Sequence, residues 1–219
     1  MTAFNFELAR HNMIEQQIRP WDVLDQQVLD TLAQLPREDF VPDRYRNLAF
    51  GDIAIPLGQG EFMLKPNVEA RILQALALQP ADQVLEIGTG SGYLTAGLAR
   101  LASAVVSVDI VPDFVETARR QLKAHGFGNV ALYVGDASCG WSERRYDAIA
   151  VTGSVPTVAE VWRQSLNLGG RLFIVAGQSP AMEALLITRI GEQEWVQESL
   201  FETELPQLRN AAAPKVFEF

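Results

Sequence analysis

"VLEIGTGSGY", residues 84–93, runs from an apolar segment through an acid and three alternate glycines into a helical pattern. It reads as a strand that ends in a glycine-rich turn and passes into a helix. Such a turn brings backbone N–H groups and a helix N-terminus to one point, and glycine lets a ligand approach the main chain closely. In an open parallel sheet this corner borders the usual binding crevice.

The same rhythm continues outward from that stretch. From residue 82, "QVLEIG" precedes a helix over 92–101, and "AVVSVD" precedes a helix over 112–125. "VALYVGD" follows, then "DAIAVTG", a helix over 157–166 and "RLFIVAG". Short apolar runs alternating with helices predict a parallel sheet covered on both faces. "EALLITRI" and "EWVQESLF" have no helix between them and predict antiparallel strands, with "KVFEF" as a last edge strand. Upstream, residues 5–19 and 22–34 predict two helices separated at Pro20, with Asp22 as the N-cap of the second. Val23, Leu24, Val28, Leu32 and Leu35 recur there at helical spacing. The Pro- and Gly-rich stretch from Arg37 to Pro66 lacks clear periodicity, the mark of a functional loop or lid. "NVEARILQALAL" predicts a helix with Val68, Ile72, Leu73 and Leu76 on one face. The fold class is α/β: a doubly wound, mostly parallel sheet with an N-terminal helical extension and an antiparallel C-terminal tail. One domain is expected over 1–219, with helices and a substrate-side loop in 1–66 and a cofactor-binding core in 67–219.

With 219 residues, 48% hydrophobic and 21% charged, the composition is that of a soluble globular chain. No apolar run approaches a membrane span of ~20 residues, and the polar N-terminus lacks a signal peptide's apolar core. The expected location is cytoplasmic. A net charge of −9 argues against a general nucleic-acid binder. The single Cys139 forms no internal disulfide, and His11 and His125 stand far apart, so no metal site is expected.

Three ligands compete for the glycine corner. A nucleoside triphosphate calls for Gly-x4-Gly-Lys-Ser/Thr, and no lysine occurs from Val84 to Arg100. A dinucleotide calls for Gly-x-Gly-x-x-Gly, but Gly88, Gly90 and Gly92 alternate and Tyr93 stands where the third glycine should fall. S-adenosyl-L-methionine carries no phosphate and has an ammonium group. Glu86, two residues before the first glycine, suits that ammonium and would repel a pyrophosphate. Asp109 ends a strand 21 residues after Gly88, where an acid accepts ribose hydroxyls in either nucleotide class. Asp136 ends the next strand, placed for the adenine amino group. Singly, an Asp after a strand is more often a cap or turn residue. Together, Glu86, Gly88, Gly90, Gly92, Asp109 and Asp136 favour a shared cofactor site.

"VLEIGTGSGY", "VVSVD", "GDA", "YDAIAVTG" and "LNLGGRLFIV" resemble the class I S-adenosylmethionine-dependent methyltransferases, which have a Rossmann-like fold. "NMIEQQI", "PREDFVPDRYRNLAFGDIAIPLGQG" and "GTGSGY", in that order, are similar to the protein-L-isoaspartate O-methyltransferase family. The likeness covers roughly residues 8 to 190. It implies that the six residues above bind the cofactor, and that the partner is a protein or peptide with an abnormal aspartyl residue. Its carboxylate is ionised near neutral pH and needs no general base. In that family the acceptor loop reads roughly Gly-Gln-Thr-Ile-Ser-x-Pro, and its hydroxyls orient the carboxylate. Here Gly60–Pro66 carries Phe62 and Leu64 at those places, so no catalytic residue is assigned. The family's C-terminal Phe-Val-Pro-Leu is likewise altered, to "ETELPQL" at 202–208. The loop predicts weak turnover of isoaspartyl peptides. It leaves open a more apolar acceptor, a small molecule included, or cofactor binding without transfer. Phe62, Met63 and Leu64 either pack into the core or line an altered pocket. Oligomeric state is not encoded in any of these patterns.

Overall fold

In the computed structural model of the chain, residues 4–212 are described, so the strand expected at "KVFEF" lies outside the described residues. Helix α1 (Phe6–Met13) starts beneath Asn5, whose side chain accepts from the Leu8 N–H. It continues as a π-turn over Ile14–Ile18 and a 3-10 turn over Arg19–Trp21. Helix α2 (Gln26–Gln34) begins later than the pattern predicts. Asp25 is its N-cap, accepting from Gln27 and Val28, while Asp22 has a left-handed φ of 58° and ends the preceding turn. The reason is a distant contact. Gln74 accepts from the Leu24 and Asp25 N–H groups and donates to the Asp22 carbonyl, which holds 22–25 outside the helix. Leu24 is accordingly exposed, while Val23, Val28, Leu32 and Leu35 are buried.

The irregular stretch contains a hairpin that the sequence reading lacks: β1 (Ile55–Gly58) pairs antiparallel with β2 (Glu61–Met63). Gln59 and Gly60 between them have φ of 54° and 83°, the signature of a two-residue primed turn. Ile55 and Met63 are buried, and Phe62, one residue along, is exposed, as strand alternation requires. Helix α3 (Pro66–Leu76) opens on a proline at its first position, where the missing N–H costs nothing. Its face of Val68, Ile72, Leu73 and Leu76 is buried, as the spacing predicts.

The core then alternates as expected: β3 (Gln83–Ile87), α4 (Tyr93–Leu101), β4 (Ala104–Asp109), α5 (Pro112–Ala124), β5 (Val130–Val134), β6 (Tyr146–Val155), a short α6 (Glu160–Gln164) and β7 (Leu166–Gln178). β8 (Ala181–Gly191) and β9 (Glu194–Glu202) complete the sheet. The strand order is β5-β4-β3-β6-β7-β8-β9, parallel from β5 to β7 and antiparallel beyond. Adjacent residues bury opposite faces. Val84 and Val105 pack with Leu73, Leu98 and the N-terminal Ile18 and Leu32. Leu85, Ile149 and Leu172 pack with Trp162 on the other side. The strand order reverses at β3, with β4 on one side and β6 on the other, so the turn after β3 opens at the crevice. Among the described residues no helix is long and apolar enough to cross a membrane.

Candidate active site

A cavity of about 460 Å³ opens beside the turn after β3. The three glycines of that turn have separate tasks. A Cβ on Gly88 would lie 2.1 Å from Thr152 Oγ1, and one on Gly92 would lie 2.8 Å from Ala118 Cβ. These two glycines let the turn pack against β6 and α5. At Gly90, with φ of 51°, an added Cβ would meet only Leu57 Cδ1, at 3.4 Å. Gly90 therefore presents its backbone to open space. Gly88 also borders the cavity, and Gly92 does not.

Asp109 stands at the end of β4 on the cavity wall. Its Oδ2 accepts from the Gly90 N–H at 2.8 Å, and its Oδ1 accepts from the Val111 N–H at 2.9 Å. The carboxylate thus ties the glycine turn to the next strand end, and each oxygen keeps a further acceptor position. Burial pushes its pKa up, and the two N–H groups oppose that shift. Asp136 is exposed on the same wall. The Ser138 N–H and the Asn210 side chain donate to it at 2.9 and 2.8 Å, and the Ser138 contact above all lowers its pKa. Ile110, Val111 and Phe114 add an apolar wall between these acids.

Glu86 is placed differently. It is 0% exposed, behind the glycine turn and off the cavity wall. Its Oε2 accepts from Thr95 at 2.5 Å and Ser107 at 2.6 Å, and its Oε1 has no partner among the described residues. Desolvation raises its pKa to about 8, against the opposing pull of those two hydroxyls. Through these two hydroxyls it braces α4 to the sheet.

The opposite wall is the hairpin and the segment after it. Phe62 is 45% exposed, and Phe62, Met63, Leu64 and Lys65 all border the cavity, though Met63 is buried. The backbone here is fixed from below. Arg37, wholly buried, donates to the Leu64 carbonyl at 2.6 Å and the Ala49 carbonyl at 2.7 Å. It also pairs with Glu69 and lies 4.7 Å over the Tyr93 ring. Burial raises the Glu69 pKa to about 7 despite Arg37.

A strap of residues 203–211 crosses the third side. Ser154 anchors it through the Pro206 carbonyl, the Leu208 N–H and the Leu205 carbonyl at 2.8–2.9 Å. Arg209 joins it to the hairpin, donating to Glu61 Oε1 and the Gln59 carbonyl at 2.8 Å.

The structure therefore gathers Gly88, Gly90, Asp109 and Asp136 on one cavity with Phe62 and Leu64, and sets Glu86 and Gly92 behind it. Arg37, Glu69, Thr152 and Arg209 are site residues that the sequence reading lacks. For the hairpin a signal existed in "GQG" between two short apolar runs. For the Arg37–Glu69 pair, 32 residues apart, no local pattern exists.

A profile of the family described as Protein-L-isoaspartate(D-aspartate) O-methyltransferase (PCMT) matches residues 8–205. A protein-L-isoaspartate O-methyltransferase 2 of Pelobacter propionicus is 38% identical over 198 residues, 90% of this chain and 88% of that one. A namesake of Marinobacter nauticus is 38% identical over 192 residues, 87% and 88% of the two chains. A solved protein-L-isoaspartate O-methyltransferase is 27% identical with a TM-score of 0.76, covering 90% of this chain and 65% of that one. A Plasmodium falciparum structure named for the same activity, in complex with S-adenosyl-L-homocysteine, has a TM-score of 0.78. It covers 94% of this chain and 98% of its own, and at 19% identity the likeness is one of fold.

Proposed function

The chain belongs to the protein-L-isoaspartate O-methyltransferase family, and on that premise we propose that it transfers the methyl group of S-adenosyl-L-methionine to the free carboxylate of an isoaspartyl residue in a damaged protein. One observation carries this reading. A single cavity is lined both by the glycine corner, with Gly90, Asp109 and Asp136, and by the acceptor loop from Phe62 to Lys65. Methyl donor and acceptor need a common space, and these two walls enclose one.

The residues present fit the cofactor. The backbone at Gly90 is open to a ligand, since a Cβ there would meet only Leu57. Asp109, held by two N–H groups, retains acceptor capacity for a ribose diol. The apolar wall at Val111 and Phe114 suits an adenine ring, and Asp136 with Asn210 lies beside it for the amino group. Gly88 and Gly92 shape the corner, and Glu86 braces it from beneath.

When bound, S-adenosyl-L-methionine supplies a methyl on a cationic sulfur: the carboxylate oxygen forms the C–O bond, the C–S bond breaks with its pair left on sulfur, and cation and anion become neutral thioether and ester. The chain has no proton to move. Its contribution is to align the acceptor and exclude water. Arg37 fixes the Leu64 backbone, and the Arg209–Glu61 contact draws strap and hairpin together over the cavity. We take the described parts of 1–66 and 67–219 as one unit, because Ile18 and Leu32 share a buried cluster with Leu73 and Leu98. A cytoplasmic location belongs to the same proposal, since a chain with one cysteine suits a reducing compartment.

Two variants test the two walls. Asp109→Ala is expected to weaken S-adenosyl-L-homocysteine binding by about 1.5–3 kcal/mol, the scale of hydrogen bonds to a charged group. Calorimetry reads this directly. Unchanged affinity would remove Asp109 from the cofactor site, and tight binding of NAD by the unmutated protein would overturn S-adenosyl-L-methionine as the cofactor. On the acceptor wall, Phe62→Thr with Leu64→Ser is expected to raise kcat/KM on an isoaspartyl peptide by at least about tenfold. Leu64 also packs against the core, so the double variant is expected to melt at a lower temperature. A rate that stays flat in a folded double variant would show that hydroxyls at these places add nothing.

A further inference from the structure

We propose that Lys65 is the anchor for the acceptor carboxylate, holding by charge what a loop with hydroxyls would hold by hydrogen bonds. This rests on the carboxylate acceptor proposed above. A carboxylate that enters between Phe62 and Leu64 gives up water against two apolar side chains, and such a site is viable only with a compensating partner. Among the described residues the cavity wall carries two cations, Lys65 and Arg209. Arg209 is committed twice, to Glu61 and to the Gln59 carbonyl, both at 2.8 Å.

Lys65 is poised differently. Its Nζ lies 3.6 Å from Asp52 Oδ1, beyond hydrogen-bond length, and the two side chains are 46% and 48% exposed. A pair of that kind contributes little and exchanges readily for a better partner. The backbone beside it is rigid, because Arg37 holds the Leu64 carbonyl at 2.6 Å and Pro66 opens α3. A fixed base thus carries a point charge on a flexible stem, next to the two positions where the hydroxyls are missing. Among the described residues Lys65 pairs with Asp52, and with none of the acids on the cavity wall. Glu61 pairs with Arg209, Asp109 and Asp136 accept from N–H groups, and Glu204 accepts from Ser179. Phe62 and the 39%-exposed Trp21 line the same cavity as Lys65, and apolar side chains there thin the water around an ion pair formed in it and so strengthen it.

The experiment titrates an isoaspartyl peptide into the protein saturated with S-adenosyl-L-homocysteine, a complex that cannot turn over. The same is done with a peptide whose free carboxylate is a carboxamide. Lys65→Met is expected to weaken the acid peptide at least about tenfold and to leave the amide peptide unchanged, while Lys65→Arg stays within about threefold of the unmutated protein. Raising the salt from about 0.05 to 0.5 M should weaken the acid peptide in the unmutated protein and not in Lys65→Met. Thr203→Val, at the neutral hydroxyl on the strap side of the cavity, is the comparison and should have the smaller effect. The inference is overturned if Lys65→Met binds the acid peptide as the unmutated protein does, if it weakens both peptides equally, or if Thr203→Val shows the larger loss. Absence of peptide binding in the unmutated protein overturns it as well. Methyl transfer measured separately from labelled cofactor then decides whether the proposed function falls with it.

Discussion

Gly90→Val is expected to yield a folded protein that binds S-adenosyl-L-homocysteine at least about 100-fold more weakly, or roughly 2.8 kcal/mol. Two effects act together. The residue has φ of 51°, a left-handed conformation that a β-branched side chain adopts only at a cost of ~1–3 kcal/mol. The new Cβ would stand 3.4 Å from Leu57, so the γ-methyl groups project into the cavity where the ligand meets the main chain. The added Cβ meets no backbone, and its one near neighbour is the part-buried Leu57 side chain, so the fold should persist with a modestly lower melting temperature. Circular dichroism and calorimetry on the same sample separate the two effects. If the variant keeps both its spectrum and its affinity, the turn does not hold the ligand.

Arg37→Met should produce the largest loss of stability, about 3–5 kcal/mol by denaturant titration, the range for removing one partner of a buried ion pair. Methionine fills similar space and leaves the Ala49 and Leu64 carbonyls and the Glu69 carboxyl without their donor. The loss should also depend on pH. The Glu69 pKa is raised to about 7 with Arg37 present, and Arg37 is what opposes burial there. Without it the folded variant keeps the Glu69 proton to higher pH, and from about pH 7 upward it holds a proton that the unmutated fold releases. The folded variant then binds more protons than its reference, so its deficit widens as pH rises and narrows toward pH 5. A deficit that is constant from pH 5 to 9 would show that Glu69 does not ionise beside Arg37. Because Arg37 holds the Leu64 carbonyl, any variant that survives should also lose peptide affinity.

The parallel core was legible because its inner strands are buried on both faces and read as short, mostly apolar runs, as in "VLEI" and "AVVSV", each broken by one polar residue that is itself buried. The helix α3 face was legible from spacing alone. The start of α2 was not, because two aspartates compete for it and the choice falls to Gln74, about fifty residues away. Glu86 illustrates the limit at the site itself. Its neighbours Leu85 and Ile87 pack on one face of the sheet, so the acid must point to the other, and that face is closed by α4. Spacing placed it correctly at the strand end but carried no information on what covers it. The loop changes at Phe62 and Leu64 were visible in the sequence. That both line the cavity became clear only from the hairpin, whose alternation turns Met63 inward and leaves Phe62 outside.

The central claim is most directly tested by incubating the unmutated protein with methyl-labelled S-adenosyl-L-methionine and a matched pair of peptides, one isoaspartyl and one with the normal aspartyl linkage. The account predicts base-labile methyl ester on the isoaspartyl peptide alone, stoichiometric with the S-adenosyl-L-homocysteine formed. No ester above background on that peptide, while calorimetry shows the cofactor bound, would contradict it.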